Sequence, residues 1–158
     1  MVLLKKRIPG VTAAGLERFV RRARSAVKLV GTVNVLITHN LEMRNLNRRF
    51  RGKDAATDVL SFPAVPGLPG RLVGDLAISG EIATENAKQF GHTVGEEIKI
   101  LILHGALHLA GYDHETDRGT MGRKEARLRV TLKLPATLIA RAASRATVDT
   151  PTTRRRKP

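Results

Sequence analysis

The sequence predicts an α+β fold: one domain over residues 1–140, built from a small mixed β-sheet packed against several helices, with a metal-binding helix at its centre. Three observations predict it. Short β-branched runs such as TVNVLITH (32–39) have the length and composition of strands. Between them lie longer stretches whose apolar residues recur every three or four positions, as one buried face of a helix requires. A third kind of segment, IKILILHGALHLAG (98–111), is apolar nearly all round yet contains a lysine and two histidines. Such a helix belongs in a protein core rather than in a bilayer. At 158 residues the chain is long enough to bury that core.

The elements follow in order. Residues 2–8 read as a strand that Pro9-Gly10 ends. Thr12 is placed to cap a helix running to about residue 28, whose apolar stripe is Leu16, Phe19, Val20, Ala23 and Val27. Its cations, Arg18, Arg21, Arg22, Arg24 and Lys28, fall largely outside that stripe. After the strand at 32–39, Asn40 is the expected cap of a short helix through Phe50 that exposes Arg44, Arg48 and Arg49. VLSFP (59–63) and RLVGDLAISG (71–80) form an expected hairpin around the proline- and glycine-rich loop 63–70. A helix over 81–90 stops at Gly91, and Thr93-Val94-Gly95-Glu96 spells a capping box for the central helix to about 110. A last helix covers 119–133. Residues 141–158, ending TPTTRRRKP, lack core-forming side chains and read as a basic, disordered tail.

Charge is unevenly distributed. Residues 1–53 hold thirteen Lys/Arg against two acids, residues 54–117 three against ten, and residues 118–158 twelve against two, for a net +14. Two basic lobes around an acidic, histidine-bearing middle suit a polyanionic partner, and the scarcity of aromatics directs the grip to phosphates. The absence of cysteine excludes disulfides and a thiolate metal site and fits a reducing cytoplasm. MVLLKKRIPG has too few apolar residues before its charges to serve as a secretory signal, so a cytoplasmic protein with no membrane partner is expected.

The chemistry is concentrated in HGALHLAGYDH (104–114). Helical periodicity puts His104 and His108 one turn apart on one face, and Gly111 can turn the chain so that His114 returns toward them. Three neutral imidazoles with an open fourth position are a zinc site. Unmetallated, each buried ring would need its own hydrogen-bond partner, at about 1–3 kcal/mol if none were found. Asp113, Glu115 and Asp117 are either acceptors that orient a ligand imidazole or residues of a solvated turn. His39 and His92 read as surface or internally satisfied histidines. Zinc peptidases of this spacing carry a glutamate after the first histidine as general base. Here Gly105 stands there, either for close packing or as a vacated position beside the metal. Phosphodiester cleavage needs no such base if zinc lowers the pKa of its water to about 7 and cations stabilise the transition state.

RGKDAATDVLSFP (51–63), GDLAIS (74–79) and HGALHLAGYDHE (104–115) resemble, in order and approximate spacing, the motifs of the YbeY family of single-strand-specific metallo-endoribonucleases. The resemblance covers roughly residues 30–130. It implies an α+β fold, one zinc ion per chain held by His104, His108 and His114, and a functional arginine at Arg51. It also implies single-stranded RNA as substrate, 16S rRNA 3′-end maturation, small-subunit quality control, and ribosome-linked partners including the Era GTPase. Two other readings stand beside it: a non-catalytic, zinc-stabilised ribosome-assembly or RNA-binding factor, and a metallopeptidase, against which Gly105 counts.

Overall fold

The structure, a computed structural model, describes residues 1–66 and 71–135. The expected basic tail and half of the proline-rich loop, residues 67–70, lie outside the described residues, as does the domain boundary at residue 140. Among the described residues, nine elements follow in chain order: β1 (Val2–Leu4), α1 (Ala13–Ala26), β2 (Thr32–Thr38), α2 (Asn40–Arg51), β3 (Val59–Pro63), β4 (Leu72–Ser79), α3 (Gly80–Phe90), α4 (Val94–Leu109) and α5 (Thr120–Thr131). The four strands form one mixed sheet in the order β1-β2-β4-β3. β1, β2 and β4 run parallel, and β3 pairs antiparallel with β4 as the hairpin reading requires.

Side-chain alternation assigns each face of the sheet to different helices. Val33, Val35 and Ile37 of β2 and Leu76 and Ile78 of β4 join Leu16, Phe19, Val20 and Ala23 of α1 and the apolar residues of α4 in the main core. The opposite face, through Leu60 of β3 and Ala77 of β4, packs on Met43 of α2 in a smaller cluster. α4 is buried from Glu97 to Leu107 apart from one half-exposed position, Lys99. The run read as apolar nearly all round is therefore the element on which the others close.

Local signals explain most boundaries. The Thr12 hydroxyl accepts from Gly15 N at 3.1 Å to cap α1, and Thr93 and Glu96 complete the capping box of α4. Gly91 ends α3 at φ +71°, a conformation that favours glycine. Two expectations need correction. The first strand ends at Leu4 rather than residue 8, because Lys5 and Lys6 both donate to the single carbonyl of Ile37 and the ladder cannot continue. Asn40 is the first residue of α2 and not its cap, a position held by His39. Its amide oxygen instead accepts from the Ser79 hydroxyl, which itself caps α3 by accepting from Ile82 N, so Asn40 ties the start of α2 to the end of β4.

Gly105 settles how closely α4 approaches the sheet. A Cβ at this position would lie 2.7 Å from Leu76 Cδ2 and 3.2 Å from Ser61 Oγ, and Ser61 Oγ donates to the Gly105 carbonyl at 3.3 Å. The position next to His104 thus faces β3 and β4, and it is filled. Gly105→Glu should lower stability by about 3 kcal/mol or more, since it drives an unpaired carboxylate into packed core. Urea unfolding measures this, and a midpoint equal to wild type would disprove the packing role.

Candidate metal centre

α4 delivers the first two histidines and its termination delivers the third. Gly111 N donates to the His108 carbonyl at 3.0 Å and Tyr112 N to the Leu107 carbonyl at 3.1 Å, closing the helix end. This needs Gly111 at φ +95°, where a β-carbon would be strained. The chain then doubles back. His114 brings its ring centroid to 5.2 Å from that of His104 and 5.3 Å from that of His108, and those two lie 4.8 Å apart. One nitrogen from each ring falls within 4.8 Å of the others, a grouping that can hold a metal ion.

Hydrogen bonding fixes which nitrogens are available. His108 Nδ1 lies 3.0 Å from the Tyr112 carbonyl, which can only accept, so this nitrogen carries the proton. His104 Nδ1 faces the Glu125 carboxylate at 3.5 Å in a fully buried contact. With both protons spent on Nδ1, the two Nε2 atoms present lone pairs to each other across 3.2 Å. Two lone pairs at that distance repel unless a cation or an extra proton lies between them. Tetrahedral zinc with bonds of 2.0–2.1 Å spaces its ligand atoms about 3.3 Å apart. The third ring adds a buried Nδ1 with no hydrogen-bond partner among the described residues. The donor set fits a divalent metal. Burial holds the His108 pKa below its ordinary value, and the neighbouring His104 and His114 rings push it further the same way. The ring is therefore neutral, as a ligand must be.

The acceptor on His104 is not one of the acids beside the third histidine. Asp113 accepts from Glu115 N at 3.0 Å, and Asp117 accepts from Gly119 N at 2.9 Å and Met121 N at 2.6 Å. These two shape the turn and the start of α5, and Glu115 is exposed. Glu125, on α5, takes the role instead. A sequence signal was present: Met121, Glu125, Leu128 and Leu132 share the buried stripe, so Glu125 is a carboxylate set among apolar positions. His92 contacts Glu97 in the core, whereas His39 is a surface residue 3.4 Å from Glu81.

Arg51 ends α2 and is exposed, with no hydrogen bond or ion pair to its side chain among the described residues. The segment after it is pinned back on the helix. Arg44 grips Asp54 through two contacts of 2.7 and 2.9 Å, and Asn47 Nδ2 donates to the Ala55 carbonyl at 2.8 Å. The guanidinium is thus free at the end of a rigid support, and no bond links it to the three histidines.

A family model described as "Endoribonuclease YbeY" matches residues 6–133. A protein of that name from Koribacter versatilis (strain Ellin345) is 55% identical over 141 residues, covering 89% of this chain and 91% of that relative. Another from Solibacter usitatus (strain Ellin6076) is 54% identical over 129 residues, covering 82% and 85%. A solution structure from Thermotoga maritima aligns with a TM-score of 0.55 at 28% identity over 98% of this chain and all of that one.

Glu125→Ala should weaken divalent-metal binding about 10–100-fold, with Glu125→Gln in between, as measured by chelator competition. Unchanged affinity would assign Glu125 to the fold alone.

Proposed function

The chain belongs to the YbeY endoribonuclease family, and on that premise we propose that it is a single-strand-specific, zinc-dependent endoribonuclease acting in 16S rRNA 3′-end maturation and ribosome quality control. The observation that carries the zinc assignment is the convergence of three imidazoles, with the Nε2 atoms of His104 and His108 3.2 Å apart and the Nδ1 of each facing an acceptor. His104, His108 and His114 hold one zinc ion per chain. Zinc held by these three imidazoles would supply a Lewis acid able to lower the pKa of water.

The chain's own residues do the rest. The Tyr112 carbonyl fixes the tautomer of His108, and the Glu125 carboxylate orients His104. Arg51 offers an unpaired guanidinium to the phosphate under attack, where charge-assisted bonds strengthen as negative charge builds. The cations of α2 beside it, Arg48 and Arg49, draw the strand in. No carboxylate follows His104, and Leu76 and Ser61 occupy the room one would need, which removes the support for a peptidase. The partners are single-stranded precursor RNA, the small ribosomal subunit and its assembly factors such as the Era GTPase, in the cytoplasm. Among the described residues, no helix is long and apolar enough to cross a membrane. The domain extends to about residue 140, and the arginine-rich tail beyond it adds nonspecific RNA affinity.

A labelled single-stranded RNA ending in a 16S precursor 3′ sequence tests this, with wild type and variants purified in parallel. His114→Ala should abolish metal-dependent cleavage. Arg51→Ala should slow it about 100-fold with metal content unchanged. Cleavage by His114→Ala at the wild-type rate would sink the mechanism. Loss of metal with lower melting temperature, but no cleavage even by loaded wild type, would favour the non-catalytic assembly factor.

A further inference from the structure

A groove of about 320 Å³ between α1 and the start of α4 is lined by Arg18, Arg22 and Lys99, together with Gly15, Gly95 and Phe19. No acid lines it, and among the described residues none of its three cations takes part in an ion pair. One of these cations is held in place. Lys99 is half-buried, its ammonium 5.8 Å from the centre of the Phe19 ring. Arg18 folds back over the first turn of α1, its Nη2 3.8 Å from where a Gly15 Cβ would lie. That turn carries no acid, so its exposed amides add to the positive potential. Of the neighbouring carboxylates, Glu96 accepts from Thr93 N, with the Lys99 charge adding a smaller stabilisation, and Glu17 accepts from Val2 N.

The groove and the histidines lie on different sides of α4. At 100° per residue, His104 and His108 are turned about 140° and 180° from Lys99. Contacts agree: Lys99 meets Phe19 of α1, whereas His104 meets Glu125 of α5. The offset along the helix axis is about 8–14 Å, added to a helix thickness of about 10–12 Å. A strand bound at the metal centre cannot lie in this groove without passing around the helix.

The lining also selects the ligand. Protein partners are anchored by apolar and aromatic side chains, and single strands stack their bases on exposed aromatics. Here the one aromatic, Phe19, is 2% exposed, and the cations Arg18, Arg22 and Lys99 stand beside only the side chains of Val11, Thr12 and Leu16. That suits the phosphate backbone of helical RNA, which is recognised by shape and charge. Resting on the RNA reading above, we infer that the α1–α4 groove grips the backbone of a helical RNA segment, distinct from the single strand cut at the metal centre.

The test compares a hairpin RNA bearing a single-stranded 3′ extension with a short oligonucleotide of the extension alone. Full-length wild type, Arg18→Glu/Arg22→Glu and a charge-matched control, Arg21→Glu/Lys28→Glu, are assayed. At about 0.15 M salt the groove variant should bind the hairpin at least tenfold more weakly, and its salt dependence should flatten by about 1–2 in slope. The control should lose much less. Metal content and oligonucleotide cleavage should stay within twofold of wild type. Undiminished hairpin binding, an equal loss in the control, or parallel loss of oligonucleotide cleavage would each overturn the inference. The binding arm needs no catalysis and can be run in the His114→Ala background, so failure of the nuclease reading and failure of this one are distinguishable.

Discussion

Two imidazole nitrogens that present lone pairs to each other across 3.2 Å inside a buried helix are the constraint to which the rest of this molecule answers. Both lone pairs are exposed to each other because both ring protons are engaged elsewhere, one by the Tyr112 carbonyl and one by the Glu125 carboxylate. Remove either acceptor and the ring it holds can change tautomer, which relieves the repulsion and dismantles the donor set. The tension and the capacity to hold a metal are therefore one feature seen from two sides.

Keeping that arrangement inside a core limits its surroundings. α4 must be covered, and the sheet covers it at close range only because Gly105 offers no side chain to Leu76 and Ser61. One residue beyond His108, Leu109 lies against Gly74 of β4, where a β-carbon would come within 2.6 Å of Leu109 Cδ2. Two close approaches thus set the height of the ligand-bearing turn above the sheet. Gly111 is the third requirement, since the helix must stop and reverse within six residues for His114 to reach the other two rings. None of these glycines touches a metal, yet each helps position the imidazoles.

Charge is arranged around the centre rather than in it. Glu97 and Glu125 are buried against histidines, whereas most arginines of α1 and α2 lie on the outer surfaces of those helices. α1 and α2 cover opposite faces of the sheet, so their cations form separate surfaces and not one continuous track. The inferred contact with helical RNA therefore draws on the α1 surface, and the contact proposed for the strand to be cut draws on α2.

Much of this was legible in the sequence because it is local. Apolar periodicity identifies α4 as a buried helix, and a spacing of four places His104 and His108 together whatever surrounds them. Thr12, Gly91 and the Thr93–Glu96 box act within a few residues of their own positions, so they could be read directly. What the sequence could not supply was the identity of neighbours across space. It offered Asp113, Glu115 and Asp117 as acceptors because they are close in the chain, but the acceptor is Glu125, twenty-one residues from His104 on a helix that packs alongside. It left Gly105 open between packing and a vacant site, and only the sheet behind α4 resolved that. It listed the cations of α1 and α2 together, although the fold sends them to different sides. Periodicity fixes which face of its own element a residue occupies, while what that face meets depends on the packing of all the elements at once.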